Sequence, residues 1–319
     1  MAALTAYVIL GGADFGGGVW DIVATGSGAQ AQRAAVAEAM GPVWEVNHVW
    51  LIFVLVATWT CFPVAFAVMF TALSVPLIIA LAGIVLRGAA FAFRHYALEA
   101  GGRAQYMGFV FGAASVLTPI FLGDAIGTLV SGSLKPLFGA SSPWLRPFPI
   151  AIGLFALSLC ALLAAVFLTV ETRGWLQEVF RRRAIIAWLA TAVMGAAALG
   201  AAYDGAPYMF HALTSGPARP WFAFALGVGL ITLWCLVRRR YRAARATAVA
   251  QVAAVLWAWA AAQYPYVIVP WLTITAAAAP RQTLLDFLVM TGAGMAVLLP
   301  SLWLLFAVFK GNARDYSGT

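Results

Sequence analysis

The sequence has very little charge: only 9% of its 319 residues are Asp, Glu, Lys or Arg, compared with about 25% in an ordinary globular protein. Hydrophobic residues make up 64% of the chain. So few charged side chains cannot cover the surface of a soluble domain, which excludes the soluble enzyme classes. Because a bilayer core about 30 Å thick takes about 20 apolar residues per helix, the chain has room for roughly eight or nine crossings.

Cysteine is also scarce: the three are Cys61, Cys160 and Cys235. Each lies alone in an apolar run, and no CxxC spacing occurs, so we interpret them as small buried hydrophobic residues and not as metal ligands.

Histidine is as rare. Of His48, His95 and His211, only His48 falls near the interior of a predicted helix. Haem iron needs buried axial ligands, so we expect this chain to bind no haem iron and no other metal by itself.

Apolar segments predict an all-α integral membrane protein with about nine transmembrane helices in a single polytopic domain, residues 1–319. The predicted helices cover 3–24, 46–70, 73–95, 108–133, 149–170, 184–203, 219–237, 247–268 and 284–309. No charge occurs from Val49 to Leu86, a run of about 57 Å if helical, so two helices with a turn between Met69 and Ser74 fit best. The polar stretches Gly26–Ala39 and Gly132–Pro149 are predicted to be loops.

The net charge of +8 comes from short basic clusters between apolar segments, which indicates topology signals and no nucleic-acid partner. With nine crossings and an outside N-terminus, 15 of the 19 Lys and Arg residues fall on one side, which predicts a cytoplasmic C-terminus. The first segment starts within three residues of Met1 and is a poor signal peptide. We expect either an upstream translational start or an unusually short outer turn.

Ionisable residues inside membrane segments are expensive and are candidates for function. Asp14 and Arg87 lie about 15 Å and about 12 Å from the cytoplasmic ends of their helices, so the sequence predicts an Asp14–Arg87 ion pair. Whether this pair is only structural or also functional stays open at this stage. Asp124, in the outer half, is either protonated or lines a wet cavity.

The most informative stretch opens the second predicted segment, from Gly41 to Leu51. Glu45 and His48 are three residues apart, so they share a helix face and could hold a proton or a water molecule. Trp44 and Trp50 suit a membrane interface or a quinone-like ring. The alternative is a belt of Trp residues with an ordinary acid in the first helical turn.

These motifs resemble subunit II of the cytochrome bd-type terminal quinol oxidases, including the cyanide-insensitive branch. The matching elements are Gly12-Ala-Asp14-Phe-Gly16-Gly-Gly18, Gly41-Pro-Val-Trp44-Glu45-Val-Asn47-His-Val49-Trp50-Leu51, Phe62-Pro63, Leu86-Arg87, Phe91, Arg94, Pro119, Gly123, Gly127 and Gly132.

The resemblance implies a fold of two four-helix bundles plus a peripheral helix in the bacterial cytoplasmic (inner) membrane. It implies a complex that oxidises quinol and reduces O₂ to water in the aerobic respiratory chain, with haem b, haem d and the catalytic residues in a partner, subunit I. This chain would be the non-haem subunit, surrounded by membrane lipids and holding a structural quinone in some members, and a small accessory single-helix subunit could join the complex.

For individual residues, the resemblance implies a proton path through Glu45, His48 and Asp14, with Glu45 as the acid at the cytoplasmic start of the second helix. Trp44, Asn47 and Trp50 would shape that path, a quinone pocket or an interface.

Two other readings stay open at this point. Buried Asp14, Arg87 and Asp124 could belong to a proton-coupled secondary transporter, although the sequence has no convincing inverted repeat. A self-sufficient haem oxidoreductase is disfavoured by the shortage of ligands.

Overall fold

A computed structural model describes residues 1–26, 28–40, 44–97, 103–134 and 143–311; among these, the side chains at 40, 44–46, 94–97, 103–105 and 305–311 are outside the description. The helices are α1 (Ala2–Val23), α2 (Ala29–Met40), α3 (Trp44–Cys61), α4 (Pro63–Ala72), α5 (Ser74–Ala97), α6 (Arg103–Val130), a short 3₁₀ helix (Pro143–Leu145), α7 (Pro147–Glu171), α8 (Gly174–Gly205), α9 (Pro207–Thr214), α10 (Arg219–Val237), α11 (Tyr241–Gln263), α12 (Ile274–Ala277) and α13 (Arg281–Gly311). Two short strands, β1 (Tyr266–Ile268) and β2 (Leu272–Thr273), form an antiparallel hairpin.

The expected all-α membrane fold is confirmed. Within the described ranges, eight helices are long and apolar enough to cross a membrane, and the bent pair α3 and α4 could supply a ninth span. Their apolar side chains face outward as well as inward, as expected for helices with lipid on one side and protein on the other.

Helix α7 forms the centre of the molecule. It packs against α1, α6, α8 and α11, and its residues from Leu162 to Val166 are completely buried. By contrast, none of the membrane-length part of α13 is buried. It lies at the edge, against α3, where Phe53 and Phe287 are 5.9 Å apart between ring centroids.

Glycines let α1 approach its neighbours very closely. A Cβ atom at Gly16 would overlap the carbonyl group of Cys160 in α7, and one at Gly18 would overlap the Ser115 side chain in α6. Small residues at such contacts allow the backbones of membrane helices to come together. The glycine-rich sequence of α1 therefore fixes its position between α6 and α7.

The prediction of one helix over 46–70 is wrong. Helix α3 ends at Cys61, and α4 starts at Pro63 with a bend of 120°. Proline disfavours a helical conformation in the preceding residue, and Phe62 is indeed non-helical, with φ −138° and ψ 59°. A second break at Leu73, between α4 and α5, falls within the turn expected from Met69 to Ser74.

Two other predicted boundaries are also wrong. The segment expected to be helical over 247–268 leaves the helix after Gln263, and β1 follows it, with Tyr266 opposite Thr273. The stretch Gly26–Ala39, expected to be a loop, contains α2. Its alanine-rich sequence has a high helix propensity, and its Val36 side chain is buried in the main core.

Candidate functional site

A buried ion pair joins α1 to α5. The Nη1 atom of Arg87 donates to Oδ2 of Asp14 at 2.7 Å, and Nη2 donates to Oδ1 at 2.5 Å. Nη2 also reaches the backbone carbonyl of Asp14 at 3.2 Å. Both side chains are only 3% exposed. The structure thus brings together the two residues that the sequence predicted as partners, in the bidentate geometry that makes Arg–carboxylate contacts strong.

The remaining surface of the Arg87 guanidinium is also in contact with protein. Its Nε atom donates to the Ser115 hydroxyl at 2.9 Å, and that hydroxyl donates to the Phe111 carbonyl at 2.7 Å. The rings of Phe15 and Phe111 lie 5.1 Å and 4.9 Å from Cζ of Arg87, within cation–π distance. Helices α1, α5 and α6 therefore share one charged centre.

Helix α3 brings two further predicted residues to this centre. Asn47 is 1% exposed, and its Nδ2 atom donates to the Leu10 carbonyl of α1 at 3.3 Å. His48 is half-buried and interacts electrostatically with both Asp14 and Arg87.

Trp50 packs against the cluster formed by Tyr7, Phe15 and Cys160. Trp44 and Glu45 are the first two residues of α3, but their side chains lie outside the described part of the chain.

The start of α3 lies beside the middle of α1, farther from the end of α1 than the sequence suggested. Asn47 lies beside Leu10, ten residues or about 15 Å along α1 from Trp20, which contacts Arg183. Glu45 was expected at the cytoplasmic boundary of the second helix. In the structure, α2 precedes α3 and packs on α1, and the backbone of Glu45 lies two residues before Asn47.

Two arginines, Arg33 and Arg183, bind the C-terminal end of α1, and we call this region the basic end. Arg33 of α2 donates to the carbonyls of Asp21 and Ala24, at 3.3 Å and 3.0 Å, where α1 ends. Arg183 of α8 donates to Trp20 and, at 2.5 Å, to Gln32. These side chains satisfy carbonyl groups that a helix leaves free at its C-terminus. Sequence reasoning treated these arginines only as topology signals.

The structure adds one residue that the sequence analysis missed. Tyr7 is 5% exposed, and it lies near Asp14 and Arg87. Its ring lies against Gly11, where an added Cβ atom would be 3.1 Å from Cε2. The signal was present in the spacing, because residues 7, 11 and 14 share one helix face.

Asp124 stands apart from this centre. It is 3% exposed, and neither carboxylate oxygen has a hydrogen-bond partner among the described residues. The Thr128 hydroxyl bonds to its backbone carbonyl at 2.9 Å. The structure gives it no part in the Asp14–Arg87 centre.

The two histidines with described side chains lie on different parts of the fold. His48 lies in α3, which packs on α1, α4 and α13, whereas His211 lies in α9, which packs on α8, α10 and α11. The side chain of His95 is outside the described part. Among the described residues, no group of three or more His, Cys, Asp or Glu side chains could hold a metal ion.

The comparison with protein families decides the identity of this fold. Residues 1–309 match the family model described as cytochrome bd terminal oxidase subunit II. The chain belongs to this family. The matched range includes the whole Asp14–Arg87 centre, and the resemblance drawn from the motifs is confirmed. The secondary-transporter reading receives no support.

Two curated relatives with 27–29% identity are also cytochrome bd oxidase subunits. Cytochrome bd ubiquinol oxidase subunit 2 of Bacillus subtilis (strain 168) is 29% identical over 184 residues, covering 53% of this chain and 52% of the relative. Cytochrome bd-I ubiquinol oxidase subunit 2 of Escherichia coli (strain K12) is 27% identical over 170 residues, 51% and 45% of the two chains. The matched region thus spans about half the length of these curated relatives.

The fold itself is similar to a solved structure, that of the bd oxidase from Geobacillus thermodenitrificans. The TM-score is 0.81 at 24% identity, and the match covers 97% of this chain and 95% of the other. At this identity the likeness establishes the fold.

Proposed function

We propose that this chain is the non-haem subunit II of a cytochrome bd-type quinol oxidase in a bacterial cytoplasmic membrane. With subunit I it would form a complex that oxidises quinol and reduces O₂ to water. The observation that carries this proposal is the match of residues 1–309 to the subunit II family.

In this proposal, haem b and haem d belong to subunit I. Their chemistry is electron transfer and oxygen reduction, and this chain contributes none of the axial ligands. The separation of His48 and His211 on different parts of the fold supports that division. The role of this chain is to support assembly and to move protons from the basic end, which we propose to be cytoplasmic.

We propose that the proton path uses Glu45 and His48, with Asp14 as the group that sets the local field. Both oxygens of Asp14 are bound to Arg87, so Asp14 could accept a proton only by giving up part of that pair. His48 lies within electrostatic reach of the pair and has a buried Nδ1 atom without a partner among the described residues. This arrangement favours His48 as the carrier and Asp14 as a positioning group.

For Trp44, Asn47 and Trp50, we propose a part in shaping the path and not a quinone pocket. Asn47 is held by the Leu10 carbonyl, and Trp50 packs on the cluster around Phe15, so both belong to the wall of the charged centre. Four further features are proposals that the family implies. They are a structural quinone, an accessory single-helix subunit, an arrangement in two four-helix bundles plus a peripheral helix, and a single-domain organisation.

The test is to express this chain with subunit I, purify the complex from membranes, and compare Glu45→Gln with the unchanged complex. We expect slower quinol-dependent oxygen uptake with an unaltered haem spectrum, because the substitution removes one proton-carrying group. Unchanged turnover would remove Glu45 from the path.

A further inference from the structure

Four buried polar atoms near the Asp14–Arg87 pair have no hydrogen-bond partner among the described residues: the Tyr7 hydroxyl, Asn47 Oδ1, His48 Nδ1 and Trp50 Nε1. Leaving a buried polar atom unsatisfied is unfavourable, because the atom loses its hydrogen bonds to water and gains none from the protein. Native proteins rarely leave several such atoms together, and they satisfy them with protein groups or ordered water. Their concentration in one place indicates a bound ligand.

These atoms lie within a short stretch of the α1–α3 contact. Tyr7 and Asp14 are seven residues apart, or about 10 Å along α1, and Asn47 is bonded to Leu10 between them. Tyr7 and Trp50 are part of one packed cluster. Tyr7 and His48 both lie close enough to the Asp14–Arg87 pair to feel its charges.

The Tyr7 ring is held in a defined position. It leans on Gly11, with Cζ 3.6 Å from the position that a Cβ atom would take there. Gly11 lies on the turn between Tyr7 and Asp14, so the ring covers the same face of α1 that carries Asp14. The hydroxyl is the only polar atom of the Tyr7 side chain, and the residue is 5% exposed.

The hydrogen-bonding capacity of the four atoms favours a ligand that can both donate and accept hydrogen bonds. An indole N–H can only donate, an amide oxygen can only accept, and a Tyr hydroxyl or a His nitrogen can do either. A quinone ring offers only acceptors and would leave Asn47 Oδ1 unsatisfied. Water both donates and accepts, and a buried water needs two to four polar partners.

We propose that Tyr7, Asn47, His48 and Trp50 bind a small cluster of water molecules that extends the charged centre from Asp14 to Tyr7, and that Tyr7 relays protons within it. This inference rests on the proposed proton path through Glu45 and His48. A proton enters the Tyr7 hydroxyl from one water as another leaves to the next, so the side chain stays neutral over each transfer.

The first experiment is a high-resolution cryo-EM structure of the unaltered complex with subunit I. We expect ordered water density within hydrogen-bond distance of the Tyr7 hydroxyl and of Asn47 Oδ1. Density for a protein or lipid group at these positions would overturn the water site. A well-resolved map without water density at these positions would overturn it as well. This measurement does not depend on any variant folding.

The second experiment compares quinol-dependent oxygen uptake of Tyr7→Phe in H₂O and D₂O. Tyr203→Phe is the matched control, because Tyr203 is 64% exposed and lies in α8 away from the centre. With an intact haem spectrum, we expect turnover of Tyr7→Phe to be lower by roughly tenfold or more and its solvent isotope effect to increase. The Tyr203→Phe complex should behave like the unaltered one.

The outcomes separate the two proposals. If Glu45→Gln slows turnover but Tyr7→Phe matches the unaltered complex in both solvents, the Tyr7 relay is wrong and the proposed path stands. If neither variant changes turnover, the proposed path fails as well. A slower Tyr7→Phe complex with an unchanged isotope effect would indicate a packing role and would also overturn the relay.

Discussion

Removing one charge from the buried Asp14–Arg87 pair should destabilise the fold far more than removing both. Each partner is 3% exposed, so Asp14→Asn leaves the Arg87 guanidinium buried without its counter-charge. Breaking a buried pair in this way costs about 3–5 kcal/mol, and 3 kcal/mol corresponds to more than about a hundredfold change in the unfolding equilibrium. The same applies to Arg87→Gln.

The double variant Asp14→Asn with Arg87→Gln should recover much of this loss. Two neutral amides can still hydrogen-bond across the contact, and no isolated charge remains. We expect a coupling energy of at least about 2 kcal/mol between the two positions. The pair Glu171–Arg245 is the matched control, because its side chains are 44% and 41% exposed at a separation of 3.3 Å.

The assay is equilibrium unfolding of the purified chain in mixed micelles by SDS titration, with helicity followed by circular dichroism. The free energy of unfolding is measured for the single and double variants at both pairs. The exposed control pair should show a coupling of about 0–1 kcal/mol. If the losses at Asp14 and Arg87 simply add, the two residues do not act as a buried pair and the reasoning is refuted.

Three further predictions concern packing and proton transfer. Glu45→Gln should lower oxygen uptake without changing the haem spectrum, and equal turnover would contradict the path. Gly16→Val should prevent α1 from packing on α7, because an added Cβ atom overlaps a backbone carbonyl, whereas Gly200→Val has open space; equal yields of folded protein would contradict this. Arg183→Gln should speed hydrogen exchange in α2, because its hydrogen bonds to α1 and α2 are lost. The control Arg182→Gln should leave the exchange unchanged, because the Arg182 side chain is 75% exposed. Equal protection of α2 in both variants would show that Arg183 does not hold α2.

The charged centre was the part of the site most accessible from the sequence. Charges buried in a membrane must find partners, and the depths of Asp14 and Arg87 along their helices were similar enough to predict their contact. The capping arginines were not predicted, because Arg33 and Arg183 also fit the charge bias expected of a cytoplasmic loop. Sequence position alone does not distinguish a topology signal from a side chain that binds a helix end.

The breaks in the helices were harder to predict than the helices themselves. A proline such as Pro63 suits either a kink or the first turn of a helix, and hydropathy cannot distinguish the two because both sides of Phe62 are apolar. Helix α2 was missed because it is short and its mean hydropathy is close to neutral, well below that of the membrane-length helices, although Val36 and Gln32 give it a buried side. That error moved Glu45 to the boundary in the sequence-based prediction.

Tyr7 was missed for a different reason. Tyrosine is common near membrane interfaces, and Tyr7 is only the sixth residue of α1, so its position in the sequence gave no reason to single it out. In the fold, α3 packs on α1, Trp50 joins the cluster that contains Tyr7, and the Tyr7 hydroxyl is buried. That approach is a tertiary property which α1 alone does not reveal.

The most direct test of the central claim is to express this chain with and without subunit I and to record reduced-minus-oxidised spectra together with quinol-dependent oxygen uptake. The account predicts no haem absorption from the chain alone, with haem bands and turnover in the co-purified complex. Haem bands from the chain alone would contradict its assignment as the non-haem subunit. Failure of the two chains to co-purify, with no oxygen uptake, would contradict the proposed oxidase function.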